Sequence, residues 1–303
     1  MKHILSLGAG VQSSALALMA ARGEVILNRR GDSESGDFER ASGSSRVGSP
    51  APVHLNAAIF ADTQDEPASV YKWLEWLKAE VARSPYPYPI HTVTAGRLSD
   101  RELQLRVSKK SGKTYRKTAI PAFAKNDNGS TGIVSRKCTT DHKIIPILRA
   151  AKQIGGISRG QKTVGVVQWI GISLDEVHRM KMSREPWAEN VWPLVDMRMR
   201  RHDCLLWMER NGYPRPPRSS CVFCPYHSNA EWRRLKTEEP AEFQRAIEFE
   251  RQMQVAATGD QAMTSVPFLH SSCVPLDQVD LSTLEDHGQM SLWGNECEGM
   301  CGV

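Results

Sequence analysis

Residues 2–23 read KHILSLGAGVQSSALALMAARG, and their pattern decides how the rest of the chain is read. Ile4, Leu5 and Leu7 sit in an uncharged run of strand character, which gives way at once to Gly8 and Gly10. Leu16, Met19 and Ala20 then recur at helical spacing until Gly23 stops the pattern. Glycines let a backbone approach a ligand closely, and a helix start carries N–H groups without intrahelical partners. A strand, a glycine turn and a helix in that order make a natural anion site. GAGVQS puts Ser13 where a dinucleotide fingerprint has its last glycine, and no Lys-Ser/Thr pair follows as in a P-loop.

Outward from this stretch, residues 28–52 are rich in Ser, Gly and charge and poor in large apolar side chains, which predicts a flexible insertion. NAAIFADTQDEP then predicts a strand ending in Asp62, and the next segment places Val70, Trp73, Leu74 and Leu77 on one helix face. YPIHTVTAG and GVVQWIGIS predict two further strands, the second reached through a helix in TTDHKIIPILRAAKQI. Alternating strands and helices imply right-handed crossovers and an α/β fold, a Rossmann-type parallel sheet with helices on both faces. Ligands of such sheets bind at the carboxyl ends of the strands, where Gly8, Asp62 and Ile172 fall. Residues 1–186 are expected to form this nucleotide-binding domain, and 187–303 a helical and loop-rich region that carries CVFC and a mobile cysteine-containing tail.

At 303 residues the chain can bury a full core, and its charge of +5 permits an anionic partner without requiring one. No apolar run is long enough for a bilayer and the start lacks a signal-peptide plan, so the expected location is cytoplasmic, with no membrane partner. Seven cysteines without a secretion signal argue for metal, cluster or redox chemistry rather than a disulfide framework. Cys221 and Cys224 form a two-thiol clip in a Pro/Ser-rich loop, and Cys138 supplies a third thiol. Asp62, Thr63, Asp65 and Glu66 make an acidic, hydroxyl-bearing turn, readable as a ribose or Mg²⁺ contact or as capping of the next helix.

SLGAGVQSSALAL resembles the pyrophosphate loop of the PP-loop ATP pyrophosphatases, usually SGGxDS, with Gly10 on the second glycine and Ser13 on the final serine. Gly8 stands at the family's serine and Gln12 at its aspartate. IFADTQDEPASVY, RKCTTDHKIIPI and WIGISLDEVHRM follow in the order found in the phosphoadenylylsulfate (PAPS) reductase-like branch of this adenine nucleotide alpha-hydrolase-like superfamily, near its sulfurtransferases. The last segment resembles Gly-x-Arg-x-x-Glu-x-x-x-Arg through Gly171, Glu176 and Arg179, with Ser173 at the first arginine.

The resemblance implies an enzyme that binds ATP with Mg²⁺, cleaves it at the α-phosphate and so activates a substrate for sulfur transfer. It assigns nucleotide contacts to Ser6, Gly8, Gly10, Ser13, Ser14, Asp62, Thr63, Gly171 and Glu176, and charge stabilisation to Lys143 and Arg179. It gives Cys138, Cys221 and Cys224 an iron–sulfur (4Fe–4S) cluster, with zinc as the alternative metal and the fourth position open or filled by Cys204 or Cys273. DNA or tRNA, or a small molecule, would be the acceptor, and a cysteine desulfurase or thioredoxin the partner. Two other readings stand beside this one. Glu296-Cys297 echoes the tail of PAPS reductases, which would make the substrate an adenylyl sulfate and Cys297 the nucleophile, with Cys301 resolving it. The departures at Gln12 and Ser173 also fit a non-catalytic nucleotide sensor.

Overall fold

A computed structural model describes residues 1–27, 52–125, 129–134, 136–259, 265–283 and 286. The expected insertion, residue 52 apart, and the Cys297/Cys301 tail lie outside these residues.

In chain order the first elements are β1 (Lys2–Leu7), α1 (Val11–Arg22), β2 (Ala57–Asp62), α2 (Ala68–Arg83), β3 (Ile90–Thr94) and α3 (Leu98–Leu103). Four three-residue strands follow, β4 (Leu105–Val107), β5 (Thr114–Arg116), β6 (Phe123–Lys125) and β7 (Thr131–Ile133). A π-helical turn, Thr139–Ile144, runs into α4 (Ile145–Ile154), and β8 (Val166–Ile170) leads to a 3₁₀ turn, Leu174–Arg179. The remainder comprises β9 (Ala188–Val191), α5 (Pro193–Asp196), α6 (Arg201–Arg210), α7 (Asn229–Glu238), α8 (Pro240–Thr258) and β10 (Val266–Phe268).

The fold is α/β, built on a five-stranded parallel sheet of order β3-β2-β1-β8-β9. Ser6 at the centre of the register faces Ile59 of β2 and Ile170 of β8. The strand expected in GVVQWIGIS, β8, is joined at the sheet edge by β9, so the boundary expected at 186/187 falls between two strands of one sheet. Among the described residues no helix is long and apolar enough to cross a membrane.

Contacts divide the chain into two units. The first, Met1–Phe60, Trp73–His91 and Ala150–Arg218, holds most of the parallel sheet with α1 and α6. Within α1, Val11 and every residue from Ser13 to Ala21 are buried, wider than the one-faced stripe that the spacing predicts. Ala15, Ala17, Ala20 and Ala21 are small enough for neighbours to approach α1 from several sides. Gly23 ends the helix at φ +74°, a left-handed stop where a Cβ would stand 2.5 Å from the Tyr86 ring and force that ring to move.

The second unit, Ala61–Lys72, Thr92–Arg149 and Ser219–Val303, has its own core. Val222, Phe223, Trp232, Leu235, Phe243 and Phe249 form its centre, with Cys138 and Cys221 packed against it. Two buried glutamates tie helices to loops here. Glu102 of α3 accepts from the amides of Ala119 and Ile120 at 2.6 and 3.0 Å, and Glu250 of α8 from those of Leu269 and Leu276 at 2.8 and 2.7 Å.

Candidate functional site

In the first unit the site is the turn from β1 into α1. Ala9 takes φ +57°, a left-handed conformation that costs an alanine about 1–2 kcal/mol. Gly10 is the N-cap residue and has no side chain to offer an acceptor to the first turn. Ser13 Oγ instead accepts from Gly8 N–H at 3.2 Å and donates to Gly10 C=O at 3.3 Å, which folds the loop over the start of the helix. A Cβ at Gly171 would lie 3.0 Å from both the N and the Cα of Ser13. Glycine at 171 is therefore what lets the chain leaving β8 pass against the first turn of α1. The structure thus brings Gly8, Gly10, Ser13 and Gly171 together, with Ser6 half-buried in the strand that leads to them.

Ser14, expected at the phosphates, follows Ser13 in the same turn but is fully buried, and its hydroxyl accepts from Trp73 Nε1 at 2.9 Å. Glu176 and Arg179 pair at 2.6 Å. Gln12 Nε2 reaches Glu176 Oε2 at 3.2 Å and Ser173 Oγ at 3.4 Å, while Gln12 Oε1 accepts from Arg201 at 2.9 Å. Arg201 carries a chemically relevant charge that sequence reading missed, since nothing in its surroundings in the chain links it to residue 12.

The remaining expected site residues belong to the second unit. Asp62 accepts from Gln64 N–H at 2.7 Å and from the Tyr71 hydroxyl at 2.8 Å. Asp65 is buried and takes the Ser99 amide at 2.8 Å, with Arg97 and Arg245 at 3.2 and 3.4 Å. Neither Thr63 nor Asp65 caps α2. Ala68 and Ser69 N–H donate instead to Glu242 and Glu239 at 3.1 and 3.3 Å.

Thr63 Oγ1 lies 3.2 Å from Cys221 Sγ and donates to Glu66 Oε1 at 3.4 Å. Glu66 Oε1 is 3.4 Å from Lys143 Nζ and 3.9 Å from Cys221 Sγ, while Glu66 Oε2 is buried without a hydrogen-bond partner. Burial, and then the Glu66 carboxylate, push the Cys221 thiol well above its ordinary value. Thr63, Lys143 and Cys221, expected from separate motifs, thus meet at a carboxylate that sequence reading took only as part of an acidic turn.

The thiol loop is tightly wound. Cys224 N–H donates to Cys221 C=O at 3.0 Å, His227 N–H to Cys224 C=O at 3.1 Å, and Val222 N–H to Asp65 C=O at 2.8 Å. Arg136 lies over the Tyr226 ring at 5.6 Å, which joins the Cys138 segment to this loop. Cys138 is also close enough to act electrostatically on Cys221.

Among the described residues no three His, Cys, Asp or Glu side chains converge as donors to one ion. A cluster spreads its ligands more widely, because each iron takes its own thiolate. Three thiols in one unit and a buried carboxylate oxygen with no partner supply that chemistry. The residues fit magnesium less well. Position 12 is an amide engaged with Ser173, Glu176 and Arg201, so a magnesium ion would depend on the phosphates it arrives with. No protein-family model, curated protein or solved structure matches the chain.

Proposed function

We propose that the chain is an ATP-using enzyme of the PP-loop, PAPS reductase-like kind that cleaves ATP at the α-phosphate and uses the activated product for sulfur transfer, with a nucleic acid as the acceptor class. The observation that carries this reading is the contact of Gly171 with Ser13: it makes one surface of the 8–14 and 171–179 segments, two stretches chosen from sequence for phosphate binding. The N–H groups of the first turn of α1 and the Ser13 hydroxyl would hold the departing pyrophosphate. Arg179, held through Glu176 to Gln12, would supply positive charge as the α–β bond breaks.

In the second unit Cys138, Cys221 and Cys224 would hold an iron–sulfur cluster, whose chemistry when bound is the handling of sulfur. Lys143 is kept beside these thiols by Glu66, and Thr63 orients the Cys221 sulfur. The winding of the Cys221–His227 segment fixes the direction in which both loop thiols leave the backbone.

The test is anaerobic incubation with ATP, Mg²⁺, ³⁵S-sulfide and either duplex DNA or tRNA. ATP-dependent ³⁵S incorporation that Cys221→Ser abolishes is expected. In a parallel incubation with an adenylyl sulfate and reduced thioredoxin, release of sulfite without nucleic-acid labelling in the first would favour the reductase reading, and absence of AMP, label and sulfite would favour a nucleotide sensor.

A further inference from the structure

The three thiols leave a four-iron cluster one ligand short, and neither Cys204 nor Cys273 is placed among them. Cys204 belongs to the first unit, where it is buried near Asp175 and Asp203. Cys273 sits at φ +53° in a tight turn closed by its own N–H to His270 C=O at 3.0 Å, and the charge it senses is Lys125.

Glu66 is different. It is 1% exposed, one oxygen lies 3.9 Å from Cys221 Sγ, and the other is buried with no hydrogen-bond partner. A carboxylate oxygen buried bare is an expense that folded chains avoid unless something binds it. The Lys143 contact, at 3.4 Å, falls on the other oxygen. Glu66 is also held in place from two directions: Thr63 Oγ1 donates to it, and the backbone of Asp65, its chain neighbour, accepts from Val222 in the thiol loop. A carboxylate is an accepted, harder ligand for iron than a thiolate.

We propose that Glu66 is the oxygen ligand that completes the Cys138–Cys221–Cys224 set, giving a cluster with three irons on thiolates and one on a carboxylate. This rests on the sulfur-transfer reading of the same thiols. Lys143 then compensates the charge of a ligand carboxylate in addition to standing beside the cluster.

The wild-type chain, loaded anaerobically with ⁵⁷Fe²⁺ and sulfide, provides the first readout, which requires no variant to fold. Its Mössbauer spectrum should show about one iron in four with a distinct, more ionic environment. Glu66→Cys should make the irons alike. Glu66→Gln should lose iron on brief ferricyanide oxidation, from about four to about three per chain with a three-iron EPR signal, under conditions where wild type keeps its full complement. Four equivalent irons in wild type, or a Glu66→Gln cluster with wild-type spectrum and iron retention, would overturn the proposal while leaving the sulfur-transfer reading intact. Failure of wild type to take up iron at all would overturn both.

Discussion

At the scale of single residues, the two positions that depart most from the resembled motifs turn out to be partners. Gln12 stands where that pattern has an aspartate and Ser173 where it has an arginine, and their side chains touch at 3.4 Å. An amide and a hydroxyl thus meet where the resembled pattern has an acid and a base, and a cation reaches Gln12 Oε1 from another element as Arg201. Gln64 gives a similar lesson: it takes φ +62° at the third place of a turn that resembles Asp-Thr-Gly, the conformation in which a glycine is at ease. Two substitutions separate packing from binding at the phosphate turn. Ser14→Ala leaves Trp73 Nε1 buried without an acceptor, so it should cost about 1–3 kcal/mol in urea unfolding while ATP affinity by calorimetry stays unchanged. Gly171→Ala must push a methyl against Ser13 backbone, so it should destabilise by roughly 1–3 kcal/mol and weaken ATP binding as well.

At the scale of elements, Glu102 shows how a short helix is anchored. Burial holds its carboxyl above the ordinary glutamate value, against the pull of the Ala119 and Ile120 amides and Arg116. The folded chain therefore binds this proton more tightly than the unfolded chain, and the stability Glu102 contributes is present at low pH and lost as pH rises through its folded value. Glu102→Gln keeps a carbonyl for the two amides and removes the titration. Urea midpoints measured from about pH 4.5 to neutral should accordingly fall less steeply with pH in the variant than in wild type.

Sequence legibility at this scale followed apolar content. β1, α1, β2, α2 and β8 could be read because uncharged strands and glycine or helical punctuation frame them. β9 was missed because Ala188-Glu189-Asn190-Val191 carries two polar residues and is only four long. β4 to β7 are three residues each, too short for a period to register. The spacing of TTDHKIIPILRAAKQI predicts one helix, whereas its first six residues wind as a π turn that nothing in TTDHKI announces. In the region expected to be helical and loop-rich, Pro240 at the first turn of α8 separates that helix from α7. In the site, Glu66 was hidden because an acid just ahead of a helix is ordinarily a favourable charge at its N-terminus.

At the scale of the whole molecule, the chain crosses between its two units several times, so residues that lie near one another in sequence are sorted apart. Trp73 packs in the first unit while Asp62, Thr63 and Glu66, a few residues earlier, belong to the second. The β1–α1 turn and its Gln12–Glu176–Arg179 network form in the first unit, and the thiols, Lys143 and Glu66 in the second. Each set can thus be disabled separately: loss of the thiols should spare ATP cleavage, and damage to the phosphate turn should abolish cleavage without removing iron. The most direct measurement is thin-layer chromatography of [α-³²P]ATP after incubation with Mg²⁺, sulfide, duplex DNA or tRNA, and the anaerobic protein. Label is expected to move to AMP in wild type and to remain in ATP in Ser13→Asp, which adds a negative charge where the departing pyrophosphate would sit. Label moving to ADP, or AMP forming at an equal rate in Ser13→Asp, would contradict the assignment of that turn to the phosphates.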